Sequence, residues 1–215
     1  MKSHNSEELS RRQFIKRAAF VAVALPVLPL GLAALRGSIA TDSANAQEWA
    51  GAADGPLNPF WKTKIVAGSE PGEPLLISGT IFQPDGVTPA KGITLYVYHT
   101  DVKGYYSQEG STGAPSKPRL RGWLRTNADG RYEFRTIKPA SYPGTTAPAH
   151  IHATLSGQGY PEYWIDSYLF EGDPFISAEH RSKLSGRGGF QSIIALKRDE
   201  QGVLKGVRDI RLERV

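Results

Sequence analysis

The feature that most constrains this chain is a rhythm. Beyond Pro74, short runs of β-branched and aromatic residues alternate with clusters of Gly, Pro, Asn and Asp. Leu75–Phe82, Ile93–Tyr98, Ala149–Leu155, Ile165–Phe170, Phe190–Lys197 and Gly206–Val215 read as strands, because such side chains pack well on a pleated surface. Trp123–Thr126 and Arg131–Thr136 flank Asn127-Ala128-Asp129-Gly130, a pattern that predicts a hairpin. Ile176–Leu184 is the one segment suited to a short helix. Together these runs predict an all-β fold, an antiparallel β-sandwich over residues 74–215.

The first 46 residues have a different character. Ser10-Arg11-Arg12-Gln13-Phe14-Ile15-Lys16 resembles the twin-arginine export motif, an apolar stretch from Ala18 to Leu35 follows, and Ala44-Asn45-Ala46 offers a cleavage site. Pro26, Pro29 and Gly31 interrupt the apolar stretch, which favours a cleaved signal over a membrane anchor. The expected organisation is a signal peptide over 1–46, an extended arm over 47–73 and the sandwich thereafter. The expected location is periplasmic or secreted, with the twin-arginine translocation machinery as a partner.

Composition narrows the chemistry. There are no cysteines, so disulfides, thiolate metal sites and cysteine nucleophiles are excluded. The net charge is +5, and much of it lies before residue 47, with no basic stripe to suggest nucleic acid. No phosphate-binding glycine motif and no G-x-S-x-G is present.

In a strand, His150 and His152 project from the same face, so His150-Ile151-His152 can begin a metal site. Tyr142 precedes the pair in a loop bracketed by Pro139 and Pro143, and Gly104-Tyr105-Tyr106 follows the Ile93–Tyr98 strand. Two phenolates and two imidazoles would suit a hard trivalent cation, with iron(III) the natural candidate. His99, at the end of the same strand, reads as a structural hydrogen-bonding residue. His180 lies in a charged segment and is expected at the surface.

The run Gly130-Arg131-Tyr132-Glu133-Phe134-Arg135-Thr136-Ile137-Lys138-Pro139, then Tyr142-Pro143, Pro148-Ala149-His150-Ile151-His152 and Phe170-Glu171-Gly172-Asp173-Pro174, resembles the intradiol ring-cleavage dioxygenases. The resemblance implies Fe(3+) held by Tyr106, Tyr142, His150 and His152, with Tyr105 the alternative to Tyr106. It implies a small aromatic diol and dioxygen as reactants and a muconate-type diacid as product. Tyr142 would be the ligand that leaves the metal and acts as a base. Where the family carries arginine and glutamine, this chain has Ala147 and, by counting back from Phe170, Ser167. Arg121, Arg125, Tyr163, Trp164 and Ser167 are the expected pocket residues. Two other readings stay open, a transthyretin-like binding module and an iron-binding member without ring cleavage.

Overall fold

A computed structural model describes residues 51–107 and 117–214. The expected signal over 1–46 lies outside the described residues. The fold is a β-sandwich of two six-stranded sheets.

The first sheet contains β1 (Lys62–Lys64), β2 (Pro74–Phe82), β5 (Arg131–Ile137), β10 (Lys197–Arg198), β11 (Leu204–Val207) and β12 (Ile210–Arg211). The second contains β3 (Thr94–His99), β4 (Leu120–Arg125), β6 (His150–Gly157), β7 (Tyr160–Trp164), β8 (Tyr168–Phe170) and β9 (Ile193–Ile194). Among the described residues a short helix, α1 (Ala178–Ser182), is capped by Ser177, whose hydroxyl accepts from the His180 N–H.

The sheets are mixed. β2 pairs antiparallel with β5 and β3 with both β4 and β6, but β1 runs parallel to β5, β11 and β12 to β2, and β9 to β8. Neighbouring-strand signals do not reveal parallel pairs of this kind, because their members lie far apart in sequence and meet through long connections. The expected hairpin across Asn127–Gly130 is also corrected. The turn forms, with Asn127 Oδ1 accepting from Asp129 N and Arg131 N, yet β4 belongs to one sheet and β5 to the other. Leu120 and Leu124 on β4 and Tyr132 and Phe134 on β5 are all buried. Facing each other across the sandwich buries both alternations as well as pairing would.

The core lies between the sheets. Leu75, Ile77 and Ile81 of β2, with Tyr132 and Phe134 of β5, meet Leu95 and Val97 of β3 and Ile151, Ala153 and Leu155 of β6. β3 is buried on both faces. Its opposite side presents Tyr96 and Tyr98, which form a second cluster with Tyr106 against Trp123, Tyr142 and Trp164. That outer aromatic face of the second sheet carries the site. Within the segment read as an arm, β1 adds an edge strand and Gly51 packs on the Tyr96 ring.

His99 turns inward and is fully buried. Its Nδ1 lies 2.7 Å from the Thr100 carbonyl and its Nε2 2.6 Å from Thr136 Oγ1. Burial depresses its pKa from 6.5 to about 4. The folded protein keeps this imidazole neutral where an unfolded chain would protonate it. Its contribution to stability is therefore complete above pH 6.5 and is lost progressively between pH 6.5 and 4, on the order of 3 kcal/mol. Thermal midpoints measured across that window should fall with pH, and His99→Gln should remove this part of the fall.

Candidate metal centre

β6 and two loops build the centre. Ile151 and Ala153 are locked into the core, so the alternation of the strand turns His150 and His152 to the outer face. Tyr98, directly opposite His152 across the β3–β6 ladder, stacks on its ring at 4.6 Å between centroids. The turn before Tyr106 is tied by Asp101, whose Oδ1 accepts from Lys103 N and Tyr105 N. The same turn holds the Tyr142 loop, since Ala140 N donates to the Asp101 carbonyl and Thr100 Oγ1 to the Ala140 carbonyl.

The four side chains converge. Tyr142 Oη lies 2.9 Å from His150 Nε2 and 3.3 Å from His152 Nε2. Tyr106 Oη lies 2.8 Å from His152 Nε2 and is hydrogen-bonded to Tyr142 Oη. The two imidazole Nε2 atoms are 3.0 Å apart. Tyr105 contributes its backbone N–H to the turn, and Tyr106 supplies the converging phenol.

These atoms fit a cation. His150 Nδ1 lies 2.7 Å from the Pro148 carbonyl, which can only accept, so Nδ1 carries the proton and Nε2 presents a lone pair. Burial holds both imidazoles neutral, depressing His150 and taking His152 down to about 3. Ligands held at about 2.0 Å from one ion lie roughly 3 Å from each other, which matches the separations seen. Burial raises the pKa of both Tyr106 and Tyr142. Without a cation the two phenol protons can be shared with the Nε2 atoms, and a bound trivalent ion would displace them. Among the described residues no group of three or more His, Cys, Asp or Glu converges; phenols complete this set.

Gly104 makes the approach of the two loops possible. It has φ +85°, and a Cβ there would lie 2.1 Å from the Ser141 carbonyl oxygen, next to Tyr142. Gly104→Ala should therefore displace the Tyr142 loop and strain the backbone by about 1–2 kcal/mol. The expected outcome is roughly tenfold weaker metal retention with the far-UV circular dichroism preserved, measured by competition with a chelator.

The expected pocket residues divide. Trp164 packs edge-on to His152 and Tyr98. Ser167 Oγ lies 3.4 Å from His152 Nδ1. Arg121 pairs with Tyr98 across β3–β4, donates to the Pro118 carbonyl and lies over Trp123. Arg125 is exposed and donates to Asn58 Oδ1. Tyr163 packs against the main core, where its hydroxyl accepts from Glu213 N and Arg187 lies over its ring. Neither Arg125 nor Tyr163 joins the centre. His180, expected at the surface, is half-buried and lines a cavity of about 430 Å³ beside His150, together with Ala147, Ser167, Leu169 and Leu184. The contribution of Tyr98 could have been anticipated from Tyr96-x-Tyr98, an aromatic alternation on a strand expected to be central; nothing local marks His180.

Residues 61–201 match a family model described as Dioxygenase. The chain is 38% identical over 119 residues to catechol 1,2-dioxygenase 1 of Acinetobacter lwoffii, covering 48% of this chain and 38% of that protein. It is 32% identical over 132 residues to the protocatechuate 3,4-dioxygenase beta chain of Burkholderia cepacia, covering 57% and 56%. It thus spans about half or less of the length of these relatives. Among solved structures, the dioxygenase domain of a dioxygenase–carbohydrate-binding protein fusion from Streptomyces sp. SirexAA-E is similar at 27% identity and TM-score 0.56, covering 74% of this chain and 92% of that one. Catechol 1,2-dioxygenase from Acinetobacter sp. ADP1 shares the fold at 24% identity and TM-score 0.56, covering 74% and 59%.

Proposed function

The chain belongs to the intradiol dioxygenase family, and from that premise we propose that it is an iron(III) enzyme that opens the ring of a catechol-type diol with dioxygen to give a muconate-type diacid. The observation that carries this reading is the convergence of Tyr106, Tyr142, His150 and His152 on one point.

Bound by these four residues, a ferric ion supplies the Lewis acidity that makes a chelated diol reactive toward dioxygen. His150 and His152 are fixed by the strand and by the Pro148 carbonyl, so they hold their lone pairs in place throughout. Tyr106 is buried under Tyr98 and anchored to Arg119, whose N–H donates to its carbonyl. Tyr142 is the more accessible of the two phenols. It sits on the loop, less buried than Tyr106, and burial keeps its phenol a weak acid. A phenolate at that position would take the proton of an incoming diol, and Tyr142 is assigned that role.

One further observation favours a second reading. Ala147 and Ser167 both line the cavity beside His150, so the arginine and glutamine of the resemblance are missing where substrate would lie. A member that binds iron and diols without ring cleavage would look the same. Iron analysis, the visible tyrosinate-to-iron absorption band and oxygen uptake with a panel of catechols separate the possibilities. Colour with oxygen uptake and diacid supports the enzyme, and colour with diol binding but no uptake supports the second reading. A colourless protein that cannot be reconstituted with iron removes both and leaves the transthyretin-like module. Export rests on Arg11 and Arg12, and Arg11→Lys with Arg12→Lys should retain the chain inside the cell.

A further inference from the structure

Two grooves meet at His180. The inner one, about 430 Å³, has Ala147, Pro148, Leu169 and Leu184 on its wall and reaches His150 and Ser167. The outer one, about 460 Å³, is bounded by Pro174, Phe175, Ser177, Glu179 and Lys183. Thr146 and His180 belong to both, so the two form one path leading outward from a residue of the metal centre.

We propose that this path binds an aromatic diol carrying a neutral, hydroxyl-bearing extension, with the ring in the inner groove and the extension crossing His180 into the outer one. The inference rests on the functional reading above and specifies its substrate. A cavity of roughly 150 Å³ suffices for benzene, so the inner groove has far more room than a single ring fills. Among the described residues its wall holds no lysine, arginine, aspartate or glutamate, so a carboxylate attached directly to the ring would meet no Lys or Arg to offset its loss of water. Among the described residues lining the outer groove, the ammonium of Lys183 is matched by Glu179 at 2.6 Å, which leaves little net charge there for an anionic tail to meet. Phe175 is partly exposed there, a surface on which the apolar side of a polyol can lie. Among the described residues the His180 ring makes no hydrogen bond, while its backbone N–H is used by Ser177. Because His180 borders both grooves, its ring is available to donate to, or accept from, an ester or hydroxyl.

The test uses the full chain with three probes: catechol, 3,4-dihydroxybenzoate and the glucose ester of 3,4-dihydroxycinnamic acid. Binding is read anaerobically, by displacement of the tyrosinate absorption band and by calorimetry. The ester is expected to bind about tenfold or more tightly than catechol, which corresponds to one or two added hydrogen bonds, and the benzoate more weakly than either. His180→Ala should lower the ester-to-catechol affinity ratio about tenfold. Ala147→Phe, which fills the inner groove where the ring of either probe would lie, should weaken ester and catechol together. Equal affinities for ester and catechol, or a His180→Ala variant that leaves the ratio untouched, would overturn the proposal. If the protein takes up no iron, calorimetry still decides the cleft. Ester heat that His180→Ala diminishes supports it while the dioxygenase reading fails, and no ester heat overturns it.

Discussion

His152→Ala is expected to strip the protein of iron and of colour. The His152 Nε2 atom lies within 3.3 Å of all three partners, Tyr106, Tyr142 and His150. Removing it takes away one of two neutral donors and leaves two phenols that burial already resists ionising. Changes to residues that merely orient a ligand cost about 10–100-fold in metal affinity; loss of the ligand itself should exceed that range, and ring cleavage should go with it. Elemental analysis and the visible spectrum read the result directly. The strand should survive, because Ile151 and Ala153 hold it from the core side. A folded variant that keeps both iron and absorption band would mean that the metal sits elsewhere.

The second large effect concerns stability. β11 and β12 pair in succession with one edge of β2, and the chain passes from one to the other through Arg208 and Asp209. Arg208 N donates to the Ser78 carbonyl and Asp209 Oδ1 accepts from Thr80 N, with Gly79 between them. A Cβ on Gly79 would stand 1.8 Å from the Arg208 carbonyl oxygen and 2.9 Å from the Tyr132 hydroxyl. The same carbonyl accepts from that hydroxyl at 2.6 Å, and the Arg208 guanidinium is buried over the Tyr168 ring. Neither obstacle is the free end of a flexible side chain. Gly79→Ala should cost about 3 kcal/mol or more, lowering Tm by roughly 6–12 °C in a chain of this size. A melting curve unchanged within a degree would show that this crossing is looser than described.

Much of the centre was legible before any fold was known. The two-residue period of a strand puts His150 and His152 on one face whatever surrounds them, and a proline-bracketed loop can aim Tyr142. The strand cores around Leu75–Phe82, Ile93–Tyr98 and Ala149–Leu155 were legible for the same reason, since their alternation states which side is buried. What local pattern could not carry was the choice of partners. Asn127–Gly130 satisfies its own turn hydrogen bonds whether its flanking strands pair or part. β7 was hidden because Pro161 and Glu162 interrupt its apolar character. His180 shows no sign of its place in its own neighbourhood, because what makes it matter is a cavity whose other walls, Leu184 apart, come from residues 146–169. Arg125 and Tyr163 failed for the converse reason: each has the right chemistry on an element that turns it elsewhere.

The parallel closure of β2 by residues 204–211 has a consequence for biogenesis. β5 can dock on one side of β2 while the chain is still on the ribosome, but the other side stays unpaired until residues 204–211 have been translated. Throughout that interval the nascent chain carries a naked, apolar strand edge, the kind of template on which aggregates grow. Such high contact order also slows the final zipping step. Shielding by chaperones should therefore matter for the folding of this sandwich.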